Sequence, residues 1–202
     1  MTPAPESHAL AIFGMLHDGG DTIVLLGPDE PGFWAHFIAQ PEVGDGAPNP
    51  MDRWSKRVIT ALAADWGGSA LFPSDGVPYP PFQDWALRSG QSFTSPVGML
   101  VHIRAGLMVS YRGAIRLPGN RALQNPGANP CNSCAVKPCR TACPVDALDP
   151  QGYNVSACKS HVTSPEGRDC MTQGCAARRA CPISQTYGRL SEQSAFHMRA
   201  FL

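Results

Sequence analysis

No cysteine occurs before residue 131 of this 202-residue chain. No stretch reaches the roughly 18 consecutive apolar residues that a membrane-spanning helix needs, so no membrane span is expected. Net charge is missing too: 16 Lys and Arg balance 16 Asp and Glu, which leaves no bulk electrostatic footprint for nucleic acid or an anionic membrane surface. The opening Met1-Thr-Pro-Ala-Pro-Glu-Ser-His lacks a basic region and a long apolar run, so a signal peptide is not expected. Nucleotide, NAD and hydrolase chemistry have no motif to rest on, since phosphate loops, G-x-G-x-x-G and a Ser/His/Asp arrangement are absent. These absences predict a cytoplasmic chain. Reducing surroundings would then turn its cysteines away from disulfides and toward metal or catalysis.

What is present lies unevenly along the chain. Residues 1–127 carry ordinary apolar periodicity, enough for one core, and residues 128–202 hold every cysteine with little continuous apolar sequence. So short a segment buries little apolar surface, and metal would supply much of its folding free energy. Two domains are expected, divided by the Pro-, Gly- and Asn-rich stretch 117–130.

In the front part, Ala9–Leu16 reads as a short helix or strand stopped by Gly19-Gly20, and Thr22–Leu26 (TIVLL) as a buried strand. Gly32–Ile38 is a short helix. The clearest helix runs from about Pro50 to Trp66: Asn49 can cap it, Pro50 suits its first turn, and Trp54, Val58, Ala61, Leu62 and Trp66 line one side. Ser69–Phe72 is a short strand, and a loop with four prolines leads to a helix over Phe82–Arg88. Val97–Ile103 and Leu107–Leu117 alternate well enough for a hairpin turning at Arg104-Ala105-Gly106. The fold class expected is α+β, a small mixed sheet with helices on it. A closing helix over Gln185–Leu202 would use Leu190, Phe196, Met198, Phe201 and Leu202.

The eight cysteines form two blocks, each ending in Cys-Pro. The first is Cys131-x2-Cys134-x4-Cys139-x3-Cys143-Pro144, and the second is Cys158-x11-Cys170-x4-Cys175-x5-Cys181-Pro182. The bacterial dicluster run C-x2-C-x2-C-x3-C-P sends its fourth cysteine to the other cluster. The first block keeps the outer spacings of that run and widens the middle one. Proline after the last cysteine fixes φ and turns that thiolate away from its own loop. The pattern predicts one [4Fe–4S] cluster on Cys131, Cys134, Cys139 and Cys181, and another on Cys143, Cys158, Cys170 and Cys175.

Other readings stay open. Two four-thiolate zinc sites would also use eight cysteines, although only Cys131/Cys134 has the short knuckle spacing. Lys137, Arg140, Lys159, Arg178 and Arg179 could raise a cluster's potential or form a solvated face. His161 is a reserve ligand.

The order of a hairpin (GMLVHIRAGLMVSYRGAI), then C-x2-C…C-x3-C-P-V-D-A-L, a lone Cys158 and a last Cys-Pro resembles the core of epoxyqueuosine reductase and of the corrinoid-dependent reductive dehalogenases. The resemblance covers roughly residues 69–182. It extends to short bacterial ferredoxin-like 4Fe–4S proteins. It implies a front domain that is a nitroreductase- or flavin-reductase-like remnant, followed by a dicluster ferredoxin-like module. In those relatives the front domain binds a corrinoid fed by the nearer cluster, so the resemblance implies a corrinoid or flavin there as an alternative to a bare electron carrier. By position, Asp75 matches the family's acidic proton donor, with a plain turn at Asp75-Gly76 as the alternative. Arg53, Lys56 and Arg57 could grip a cofactor phosphate or form a solvated helix face. The expected function is electron transfer through two [4Fe–4S] clusters to a redox partner protein or small-molecule acceptor. The alternatives are a reductase with a corrinoid or flavin and a zinc-stabilised interaction protein.

Overall fold

The computed structural model describes residues 4–202, so Met1 to Pro3 of the opening segment lie outside it. The chain is an α+β protein whose sheets are small and antiparallel. It divides into two compact units. One comprises the residues up to Gln91 together with Ser110–Gly127, and the other Ser92–Val109 with Ala128–Leu202. The expected division into 1–127 and 128–202 is therefore redrawn: Ser92–Val109 belongs with the cysteines.

In the first unit, a 3-10 turn at Pro5–His8 leads into β1 (Leu10–Asp18), which turns at Gly19-Gly20 into β2 (Asp21–Pro28). After it come α1 (Phe33–Ile38), α2 (Pro41–Gly44), α3 (Pro50–Asp65), β3 (Ser69–Leu71) and α4 (Phe82–Arg88). The sheet order is β1-β2-β6-β3, with β6 (Gly113–Leu117) the return strand, and every pairing is antiparallel. The sheet is thus not mixed. The expected 97–117 hairpin does not form either, because β6 pairs with β2 and β3.

Register sets the two faces. Gly14, Leu25 and Ala114 are cross-strand partners, so they share one face, and a Cβ on Gly14 would meet Ser89 at the end of α4. Gly113, one residue over, lies on the other face, where a Cβ would meet Ile59 of α3. Helices therefore cover both faces, and every residue of β2 from Thr22 to Pro28 is buried. Phe33, Phe37 and Trp54 pack ring on ring beneath α3, with all three side chains out of water.

Two details of α3 depart from expectation. Its buried stripe is Met51, Trp54, Ser55, Val58, Ile59, Leu62 and Ala63, so Ala61 is exposed and Ile59 takes its place. Asn49 stands at the cap in a left-handed conformation, but its side chain makes no capping hydrogen bond. Its carbonyl accepts the Arg53 N–H instead. The far end closes as expected, with the Gly68 and Gly67 N–H groups bonded to Ala63 and Ala64 carbonyls.

The second unit begins with a two-stranded ribbon, β4 (Ser92–Thr94) and β5 (Leu100–His102). Beyond the linker come α5 (Pro130–Ser133), a 3-10 turn at Pro138–Arg140, and the small ribbon β7 (Leu148–Asp149) and β8 (Gly152–Tyr153). Then follow α6 (Val155–Thr163), a 3-10 turn at Pro165–Gly167, α7 (Arg168–Gln173), α8 (Ala176–Ala180), α9 (Pro182–Thr186) and α10 (Ser191–Phe201). The closing helix is thus two helices, interrupted around Gly188. α10 packs against α7 through Gln193, Ser194 and Ala195, and Leu190 is exposed. Small residues win this contact because the elements approach closely: a Cβ on Gly174 would come within 2.6 Å of Ser194 Cβ. No helix among the described residues is long and apolar enough to cross a membrane.

Candidate metal centre

The cysteine segments are built by short capped turns, which local sequence explains. Asn129 caps α5 by accepting the Cys131 N–H at 2.9 Å, and Cys134 ends the same turn. Cys139 sits in a 3-10 turn opened by Pro138. Cys181 joins α8 to α9, and Pro182 occupies the first turn of α9, where a missing N–H costs nothing. That proline starts a helix, which adds a positive role to the expected one of stopping a helix before it.

Cys131, Cys134, Cys139 and Cys181 line a single cavity of about 190 Å³. Its other walls include Val101, Leu107 and Ile183, and Lys137 brings a positive charge to the lining. The cavity abuts a core made by Val97, Val101, Leu107, Cys139 and Cys181. None of the eight cysteines forms a disulfide. Burial raises the Cys131 thiol above its ordinary value, and the neighbouring Cys139, Cys181 and Cys134 sulfurs add to the rise. Burial does the same to Cys139, helped by Cys181 and Cys134. Cys139 and Cys181 are buried and Cys131 and Cys134 half-buried, and binding of a metal group by these thiols would release protons.

The segment that walls this cavity was not foreseen. His102 and Gly106 exchange backbone hydrogen bonds of 3.0 and 2.8 Å, and His102 Nδ1 accepts the N–H groups of Arg104 and Ala105. The expected turn at 104–106 is present, but it does not lead into a paired strand. Leu107 instead donates its N–H to Ser184 Oγ at 2.9 Å and accepts the Arg178 guanidinium on its carbonyl. Arg189 reaches the Met108 carbonyl at 3.3 Å. Three side chains from beyond Cys175 therefore hold residues 107–108 against the cavity.

Of the second set, Cys158 and Cys175 lie near Tyr153, and Cys170 lies near Cys175. The Tyr153 hydroxyl bonds to Cys158 and feels Cys175; burial first, then these sulfurs, push its ionisation well above the ordinary value. Burial raises the Cys170 thiol, against a hydrogen bond from the Ala176 N–H. Cys143, the last cysteine of the first block, accepts the Ala147 N–H on its sulfur at 3.3 Å. Gln193, fully buried on α10 against α7, leaves both ends of its amide without a partner among the described residues.

Among the described residues, no group of three or more His, Cys, Asp or Glu side chains converges enough to hold a metal ion. A zinc ion would draw four sulfurs to about 2.3 Å from one point. The first set lines the walls of one cavity, and its donor chemistry, four sulfurs in a largely apolar lining, is of the kind that a cluster with one thiolate on each corner iron uses.

The basic residues flanking the cysteines are not a uniformly solvated face. Arg179 pairs with Asp169, and Lys159 donates to the Leu202 carbonyl while lying over the Phe201 ring. Arg178 turns inward to Leu107.

The candidates in the first unit meet partners of their own. Asp75 accepts the Phe72 N–H at 2.7 Å and pairs with Lys56 at 3.2 Å, so its carboxylate closes a turn. Arg53 grips Asp45 through two bonds of 2.6 and 2.7 Å and also reaches backbone carbonyls of Glu42, Ala47 and Pro48. Arg57 holds both oxygens of Glu42 at 2.6 and 3.0 Å. The run Arg53-x2-Lys56-Arg57 thus fastens the 40–48 loop and the 72–75 turn to α3 and leaves no fork aimed at a phosphate.

Arg57 beside the buried Glu42 holds that carboxyl below the usual carboxylate range. A depressed folded value stabilises the protein above the unfolded value, and the contribution disappears as pH falls through the folded one. Glu42→Gln should lower stability at neutral pH by about 1 kcal/mol, a figure discounted for the half-exposed arginine, and flatten the acid limb of the stability curve. Urea titrations of both proteins between neutral and acid pH will show it. An unchanged acid limb would assign acid sensitivity to other carboxylates.

Comparison with known proteins finds no matching family model, no matching curated protein and no matching solved structure.

Proposed function

We propose that the chain is an iron–sulfur redox protein with two [4Fe–4S] clusters, one on Cys131, Cys134, Cys139 and Cys181, the other on Cys143, Cys158, Cys170 and Cys175. Its role is to pass single electrons between a donor and an acceptor, either a protein or a small molecule. The observation that carries this reading is the meeting of Cys181 with Cys131, Cys134 and Cys139 around one apolar-walled cavity. A cluster bound there would supply one-electron chemistry at a potential set by local charge, hydrogen bonds and solvent access.

The protein's part is to set those terms. Val101, Leu107 and Ile183 give the first set an apolar wall, which disfavours added negative charge, and Lys137 opposes that effect. In the second set the Ala147 and Ala176 N–H groups and the Tyr153 hydroxyl bond to sulfur, which stabilises thiolate charge.

The test is anaerobic purification with assays of iron, acid-labile sulfide and zinc, and a visible spectrum before and after dithionite. About eight iron and eight sulfide per chain, with a broad absorption that bleaches, is the expected result for two cubes. Additional bands would move the reading to a reductase carrying a corrinoid or flavin. About two zinc without sulfide would overturn it.

A further inference from the structure

The first unit contains a second cavity of about 190 Å³ that the cysteine chemistry does not use. Asp52, Ser55, Phe72, Ser74, Tyr111 and Arg112 line it. Arg112 differs from its neighbours. In the same unit Arg53, Arg57, Arg88 and Arg116 each meet a carboxylate within 3.3 Å. Arg112 donates its backbone N–H to Leu26 at 2.8 Å and one Nη to Ser110 Oγ at 2.9 Å, but its Nε is buried without a partner among the described residues. Loss of water disfavours the guanidinium charge, and Asp52 is the acidic group that supports it. The enclosed Nε is out of a ligand's reach, so a partner for this cation would have to meet the guanidinium through its Nη groups.

The cavity is also held in shape. Asp75 fixes the Phe72 N–H, Lys56 ties Asp75 and lies 5.7 Å from the Phe72 ring centre, and Ser55 is anchored to the Met51 carbonyl at 2.7 Å. The charged groups about it are therefore Arg112 and Asp52 on the lining, with the Lys56–Asp75 pair behind the 72–74 wall. The volume admits several waters or a molecule of a few heavy atoms.

We propose that this cavity binds a small oxyanion that brings its own hydrogen-bond donor, its O⁻ matched to Arg112 and its donor to Asp52. A protonated phosphate and an α-hydroxy carboxylate share that chemistry. Arginine suits it because its planar fork presents several donors to one anion, and a bare anion would be disfavoured by Asp52.

Calorimetric titration of the full chain with glycolate, inorganic phosphate and acetate separates the sources. Glycolate or phosphate should bind, and acetate, which lacks the donor, should bind about tenfold more weakly or worse. Binding by glycolate alone assigns a carboxylate ligand; binding by phosphate alone assigns a phosphate. Arg112→Met should abolish the signal. Asp52→Asn, a change at an exposed position, should erase the preference over acetate without disturbing the fold, so the idea remains testable if Arg112→Met fails to fold. No binding of any probe by folded wild type would overturn the proposal. So would undiminished binding in Arg112→Met, or an Asp52→Asn protein with the same preference. None of these outcomes depends on iron content, so this site and the cluster reading can fail separately.

Discussion

Gly106→Ala should destabilise the cysteine-bearing unit and strip metal from the first cysteine set. Gly106 has φ +57°, a left-handed conformation that costs an L-residue about 1–2 kcal/mol. Its added Cβ would stand 2.5 Å from the Ser184 backbone nitrogen, 2.6 Å from Ser184 Oγ and 3.1 Å from Cys181 Sγ. The nearest of those atoms is backbone at the start of α9, so relief means moving the helix that begins beside Cys181. Strain and overpacking together should cost about 2–5 kcal/mol. Gly46→Ala is the control: it shares a positive φ, +74°, but its Cβ would meet nothing within 4 Å. It should show the backbone cost alone and keep full iron. Thermal unfolding and iron analysis of both variants decide the matter; equal iron in Gly106→Ala and wild type would mean that this turn does not position Cys181.

The same turn marks where sequence reasoning succeeds and stops. Arg104-Ala105-Gly106 announces a turn through its glycine, and the turn exists. The partner of the residues that follow is not a local property. Leu107–Leu117 alternates as a strand would, yet the chain passes between units at Val109/Ser110, and only Gly113–Leu117 enters a sheet. There it supplies β2, a strand buried on both faces, with its second neighbour. Alternation states that a strand has two faces and says nothing about what it pairs with. The helices α3 and α4 were legible for the opposite reason, since their hydrogen bonds close within the element.

The site divides in the same way. The two Cys-Pro endings suggested that Cys181 would stand with Cys131, Cys134 and Cys139, and these four do line one cavity. The cavity wall was not, because Val101 and Leu107 lie in apolar sequence that reads equally well as front-domain core. The signal that could have found them is need: residues 128–202 have too few apolar side chains to shield four sulfurs, so a wall had to come from elsewhere. For Arg53 and Arg57 the misleading feature was distance along the chain. Their carboxylate partners Asp45 and Glu42 lie 8 and 15 residues away, beyond the reach of any helical pairing rule.

Cys139→Ala should halve the iron. Cys139 is 7% exposed, lines the cavity and belongs to the core beside Cys181, so its loss removes a ligand and opens a hole in the packing at once. A cube left with three thiolates would lose both charge balance and the metal-linked part of its folding free energy. Iron should therefore fall from about eight to about four per chain, with the second cluster retained. Double variants then test the pairing in a way no single change can. If Cys139 and Cys181 serve one cluster, removing both should cost little more iron than removing either, because the first loss already empties the site. Cys139→Ala combined with Cys143→Ala should abolish iron altogether, since the two thiols would belong to different clusters. The opposite ranking would mean that Cys143 completes the first set and Cys181 the second. The cavity shared by Cys131, Cys134, Cys139 and Cys181 would then be a packing consequence of the fold with no cluster behind it.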